Sequence, residues 1–144
     1  MGTHAVPALQ PLNYIMPVVI GLVFILIMSL VSEPSRQKFN AIFVAGAGAA
    51  YLSGGLGGWE FAFTAVATVV AYKGLDSYRY IGLAWLLHTC WDIMHHLYGN
   101  PIVVFQPTSS FGCAISDTVI AIWFLFGAPT VYKLSHPKRT GLQS

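Results

Sequence analysis

Five apolar stretches alternate with short polar or glycine-rich connections along the chain. The first covers residues 12–31, carries no charge, and holds Pro17 in its opening turns, where proline is tolerated. A polar turn, Glu33-Pro34-Ser35-Arg36-Gln37-Lys38, ends it. The second stretch, residues 39–53, is rich in small residues. Gly46, Ala50 and Gly54 recur every fourth position, a pattern that lets another backbone approach closely. Gly54, Gly55, Gly57 and Gly58 then mark a turn. The third stretch is residues 59–72, closed by Lys73, Asp76 and Arg79. The fourth is residues 80–98. A loop, residues 99–113, follows with Pro101 and Pro107, and the fifth stretch is residues 114–132 before a basic tail. No internal repeat or low-complexity linker appears, so the pattern predicts one all-α domain of five helices.

Composition gives these stretches a solvent. The chain is 56% hydrophobic and 8% charged, against about 25% charged in a soluble domain. The expectation is a multi-pass bundle of five transmembrane helices with membrane lipids as partners. Arg36 and Lys38 fall in the first connection, Lys73 and Arg79 in the third, and Lys133, Lys138 and Arg139 in the tail. All 7 positive residues therefore share one side. The positive-inside rule makes that side cytoplasmic, with the N-terminus outside, the C-terminus inside and a bacterial inner membrane as the location. The basic tail reads as an anchor to anionic lipid heads. The N-terminus shows no secretory leader. No basic patch with interleaved aromatics exists, which excludes nucleic-acid binding. Cys90 and Cys113 read as free thiols, and His4 and His136 as solvated.

Candidate chemistry sits in the fourth stretch. Ionisable groups in an apolar helix are costly and call for a reason. His88, Asp92 and His95 fall within about 60° of one another on a helix, with His96 roughly 40° further round. Leu83, Leu86, Cys90, Ile93, Met94 and Leu97 occupy the opposite face. On the third stretch Glu60 shares a face with Thr64, Ala67 and Ala71. On the fifth, Asp117 shares one with Ala114, Ala121 and Ala128, while Val119, Ile122, Trp123 and Phe126 point away. The three polar faces are expected to meet in one pocket. His-x-x-x-Asp-x-x-His offers two imidazoles and a carboxylate along one helix edge, a donor set for a divalent transition metal, zinc first. His88, Asp92 and His95 are the expected ligands, with His96 as a substitute. Glu60 or Asp117 would serve as general acid or base, or complete the coordination. Without a metal, the imidazoles would be neutral and the carboxyls protonated or paired.

Several readings stay open on these residues. One is a metal-dependent enzyme, possible hydrolase chemistry included, in which the metal activates water or polarises a carbonyl of a lipid-like or small amphipathic substrate. A hydrogen-bonded network that only fixes helix packing is another. A proton or ion path would need oligomerisation. Haem is disfavoured because the intramembrane histidines share one helix, and retinal because no lysine lies mid-span. The stripe Gly46, Ala50, Gly54 points instead to an accessory or scaffold subunit, or a homo-oligomer. The loop 99–113, with Asn100, Thr108, Ser109 and Ser110, is either a lid or re-entrant segment beside the pocket or an ordinary connector.

The run from His88 through Asp92, His95 and His96 to Gly99, Asn100 and Pro101, then Ser110, Gly112, Ser116 and Asp117, resembles small bacterial integral membrane proteins of a family of unknown function. That resemblance covers the last two stretches and implies a polytopic inner-membrane protein, with no activity attached. A looser similarity joins it to membrane hydrolases that hold zinc with His and Asp on transmembrane helices. Those have more spans and draw histidines from several helices, which this chain does not.

Overall fold

A computed structural model describes residues 8–53 and 55–132. The expectations for His4, Gly54, Lys133, His136, Lys138 and Arg139 lie outside the described residues. The described chain is all-α. Helix α1 is Leu12–Met28, α2 is Ser35–Gly48, α3 is Trp59–Lys73, α4 is Tyr78–Leu97 and α5 is Ser109–Leu125. A 3₁₀ turn, Ala49–Ser53, continues from α2. Helix α4 is the central element. It packs most extensively on α5 and also on α2 and α3, while α1 packs on α5.

Local chemistry explains where the helices stop. Helices α4 and α5 both end in a paired backbone motif with left-handed glycine. After α4, Gly99 has φ 69, and Asn100 N–H donates to the His95 carbonyl at 2.8 Å. After α5, Gly127 has φ 83, and Ala128 N–H donates to the Trp123 carbonyl at 2.9 Å. The apolar pattern continues to Tyr132, but Gly127 breaks the helix first. At its other end α5 begins at Ser109, earlier than the pattern indicates. Ser109 Oγ accepts from Val103 N–H at 2.9 Å. Ser110 Oγ accepts from Ile102 N–H and donates to the Asn100 carbonyl at 2.7 Å. These bonds stitch the loop to the first turn of α5, and the loop tip carries Val104 and Phe105 outward. Loop 99–108 is thus a connector tied to its own helix.

The basic end is held by polar bonds. Arg36 donates to Glu33 and to Tyr78 Oη, and Tyr78 donates to Glu33. Gln37 Nε2 covers the Gly74 and Leu75 carbonyls left open by the end of α3. Close packing uses glycine where backbones meet. A Cβ on Gly82 of α4 would lie 2.8 Å from Leu125 Cγ of α5, and one on Gly21 of α1 would lie 3.0 Å from Val119. The core joins Ile25, Val44, Ile81, Ala84, Trp85, Ile120, Ala121 and Phe124. Trp123, expected to face away, is buried, and its Nε1–H donates to the Pro129 carbonyl at 3.0 Å.

Helix dimensions correct the expectation of a multi-pass inner-membrane protein. No described helix is both long and apolar enough to cross a membrane. Helices α1 and α5 have 17 residues, α2 has 14 and α3 has 15. At about 1.5 Å per residue these reach roughly 21–26 Å, short of a hydrocarbon layer about 30 Å thick. Helix α4 has 20 residues, but it spends them on Arg79, Asp92 and three histidines. The transmembrane topology and its N-outside orientation therefore have no spanning helix to rest on. The outer faces are nonetheless strongly apolar, with Leu22, Ile42, Val69, Leu97 and Ile122 among many exposed large side chains.

Candidate functional site

The polar face of α4 is buried. His88, Asp92 and His95 are at most 3% exposed. Leu83, Ile93, Met94 and Leu97 on the opposite face are exposed. Glu60 from α3 and Asp117 from α5 are also buried, and the structure divides these five residues between two adjoining groups.

The first group is organised by Tyr51, which the 3₁₀ turn after α2 carries into the core. Its hydroxyl donates to Asp92 Oδ1 at 2.6 Å. The same oxygen lies 3.2 Å from His88 Nδ1. Asp117 of α5 lies close enough to Asp92 and Ser116 for their electrostatics to be linked. Asp92 Oδ2 itself has no hydrogen-bond partner among the described residues, and the Ser116 hydroxyl donates to the Cys113 carbonyl at 3.1 Å. The result is a hydrogen-bonded run, His88–Tyr51–Asp92, with Asp117 and Ser116 of α5 beside it. Space for the imidazole comes from Gly48, where a Cβ would sit 3.7 Å from His88 Cε1.

Electrostatics in this group follow burial. Burial raises the carboxyl pKa of both Asp92 and Asp117, and in Asp117 the neighbouring Asp92 charge adds to the rise. The pair is therefore disposed to retain a proton where a free carboxyl would lose it. Burial pushes His88 down to about 4, against a smaller opposing pull from the Val44 carbonyl. The Tyr51 phenol is raised, by burial first and by the Asp92 charge next. Cys113 is pushed up to about 12 by burial and by the two carboxyls, so its thiol stays protonated and is a poor nucleophile.

The second group centres on Glu60. Its Oε1 accepts from Leu56 N–H at 2.9 Å, and its Oε2 accepts from Trp91 Nε1–H at 2.7 Å. His95 Nε2 lies 3.0 Å from Oε1, a close contact out of line for a hydrogen bond. The Tyr51 ring bridges the two groups, with centroids 5.4 Å from both His88 and His95.

This division corrects the expectation of a metal centre. Among the described residues no group of three or more His, Cys, Asp or Glu is placed to hold a metal ion. His88 and His95 are seven residues apart, about 10 Å along the axis, and each is engaged by a different partner. His96 turns towards α5, its ring 5.2 Å from Phe111. The proposed ligands His88, Asp92, His95 and His96 therefore do not converge, and the zinc assignment falls with them. Tyr51 is the site residue that sequence reasoning missed. A buried tyrosine needs an acceptor, and its place in the same half of the bundle as Asp92 was the available signal. Cys90 and Cys113 are both free.

A cavity of about 340 Å³ opens between α1 and α5 beside the first group. Met16, Pro17 and Ile20 form one wall, and Gly112, Cys113 and Ser116 the other. Asn13 and Thr108, hydrogen-bonded to each other at 3.1 Å, stand among its lining residues.

The sequence model of one protein family, described as a family of unknown function (DUF6010), matches residues 12–130. The chain belongs to that family. The match takes in all five helices, so Tyr51, Glu60, His88, Asp92, His95 and Asp117 all fall within the DUF6010 region. No curated protein and no solved structure matches the chain.

Proposed function

We propose that this DUF6010 protein is a general acid–base enzyme acting on a small amphipathic molecule held in the α1–α5 cavity. The single observation that carries the reading is the hydrogen-bonded run His88–Tyr51–Asp92 beside Asp117, whose neighbour Ser116 lines the cavity. Tyr51 donates its hydroxyl proton to Asp92 Oδ1, and neutral His88 faces the same hydroxyl oxygen through Nδ1. A proton exchanged with substrate is carried by the neighbouring carboxyls of Asp92 and Asp117, while Tyr51 and His88 hold Asp92 in place. Asp117 would act as the acid or base towards substrate, Asp92 as its coupled partner, and Tyr51 and His88 as the residues that position Asp92. The apolar wall from α1 suits the apolar part of such a substrate, and Asn13 and Thr108 suit a polar end.

The test is a turnover screen. Purified protein is incubated with pools of amphipathic metabolites, and depletion is followed by mass spectrometry. Depletion that vanishes in Asp117→Asn and falls at least about tenfold in Tyr51→Phe is the expected result. Turnover indifferent to both substitutions would refute the proposal.

A second reading, a non-catalytic subunit of a larger assembly, is favoured by the large apolar side chains exposed on the helices. It predicts co-purification with a partner, or with further copies of the chain, at fixed stoichiometry. In that case Asp117→Asn would leave assembly intact, while polar substitutions at Ile42 or Ile122 would disrupt it.

A further inference from the structure

A second cavity, separate from the α1–α5 one, lies where the start of α3 meets the end of α4. It has a volume of about 330 Å³ and is lined by Leu56, Trp59, Trp91, Met94 and Tyr98. Three of the five lining residues are aromatic, and a fourth is a polarisable thioether. The wall is rigid. Trp91 stacks on Phe63 with centroids 4.6 Å apart and planes 7° from parallel, and its indole N–H is fixed by Glu60 Oε2. Glu60 is 1% exposed, and both of its oxygens accept N–H donors, as a carboxylate's would. The basic side chains Arg36, Lys73 and Arg79 gather at the other end of the bundle. His95, beside Glu60, is the titratable neighbour.

Aromatic rings with a carboxylate behind them attract a weakly hydrated cation. Aromatic ring faces are electronegative, an apolar lining tolerates methyl groups, and a carboxylate supplies long-range charge. A compact, strongly hydrated ion would lose water there without enough oxygen ligands to replace it. We propose that this cavity binds a quaternary ammonium head group. The volume exceeds what a trimethylammonium group alone fills, so an attached chain can leave along the exposed Trp59 and Tyr98. This inference does not rest on the acid–base reading of Asp117.

The experiment uses the full chain and intrinsic tryptophan fluorescence. Choline chloride, its neutral isostere 3,3-dimethylbutan-1-ol, and monomeric dihexanoylphosphatidylcholine are titrated separately. Saturable quenching by choline or the phospholipid is expected, with the isostere about tenfold weaker or worse. Tighter binding of the phospholipid identifies a lipid head group, and equal binding identifies a free small cation. Trp59→Ala, at a 72% exposed position that the fold does not need, should weaken binding about tenfold. Glu60→Gln should do the same if it folds. Equal affinity for choline and the isostere, no binding by either cation, or an unaffected Trp59→Ala variant would each overturn the proposal.

Discussion

Tyr51→Phe isolates the hydroxyl that joins the elements of the first polar group. The ring stays, so its edge contact with Phe63, at 5.2 Å between centroids, and its contacts with His88 and His95 are retained. What is lost is the 2.6 Å bond to Asp92 Oδ1 and the 3.2 Å contact with His88 Nδ1. Asp92 Oδ2 and His88 Nε2 already lack aligned partners, so neither residue has a spare bond to fall back on. A hydrogen bond to an ionisable group is worth about 1.5–3 kcal/mol, and stranding a buried polar atom costs about 1–3 kcal/mol. Partial relaxation, or a water entering the vacated space, would offset some of this, leaving an expected loss of about 2–4 kcal/mol. In a chain of this size that is a fall in Tm of roughly 6–12 °C. Thermal unfolding of the two proteins in the same mild detergent measures it. A cycle with Asp92→Asn then separates the pair term from ring packing, and a coupling of about 1 kcal/mol or more is expected. A Tm change under about 2 °C, or zero coupling in the cycle, would mean that the hydroxyl is not bonded as described, and the positioning of Asp92 would go with it.

Other consequences follow from the same geometry. His88 is held neutral, so its contribution to stability is complete above about pH 6.5 and is lost as pH falls towards about 4; the full effect is about 3 kcal/mol at most. The raised Asp92 and Asp117 act in the opposite direction: their protonated forms favour the fold, and that advantage is lost as pH rises through their elevated values. Urea midpoints across pH 4–9 should therefore show Asp117→Asn gaining on the parent protein as pH rises, and a pH-independent difference would contradict the assignment. Two glycines make a matched pair. Gly48→Ala adds a methyl in ordinary contact with His88 and should be neutral or stabilise by about 0.5 kcal/mol. Gly82→Ala drives a methyl to 3.0 Å from the Leu125 backbone nitrogen and should cost about 1–3 kcal/mol. Alkylation at pH 8 should modify exposed Cys90 at least about tenfold faster than Cys113, and peptide mass spectrometry would show it.

The helical period made much of the site readable. Residues at i, i+4 and i+7 share a face, and His88, Asp92 and His95 are buried together as that spacing requires. Glu60 with Ala67 and Ala71, and Asp117 with Ala114 and Ala121, are buried for the same reason. The period could not reveal who meets whom across helices. A shared face also says nothing about depth, and seven residues of rise separate His88 from His95 widely enough to give them different partners. Tyr51 escaped because it lies beyond the end of α2, where the backbone tightens to 3₁₀ and the angular register of the helix no longer applies. The close-packing glycine of α2 is also not the one the four-residue stripe singles out. A Cβ on Gly46 would meet nothing within 4 Å, whereas Gly48 faces His88 and Ala67.

The membrane expectation failed for a different physical reason. An apolar stretch of sequence need not be one helix, and crossing a hydrocarbon layer requires length and apolarity in the same helix. Here they are separated. Helix α1 carries no charge but stops at Met28, while α4 reaches 20 residues and places Arg79, Asp92 and three histidines within them. The residues that give α4 its chemistry are the ones that lower its apolarity. The apolar residues displaced from such a small polar-centred core then appear on the outer faces, where Leu22, Ile42, Val69 and Ile122 stand exposed. Surface of that character is what the second reading, a subunit of a larger assembly, would cover. The polar substitutions at Ile42 and Ile122 are therefore the informative complement to those at Tyr51 and Asp117: the first pair reports on what covers the bundle, the second on what its interior does.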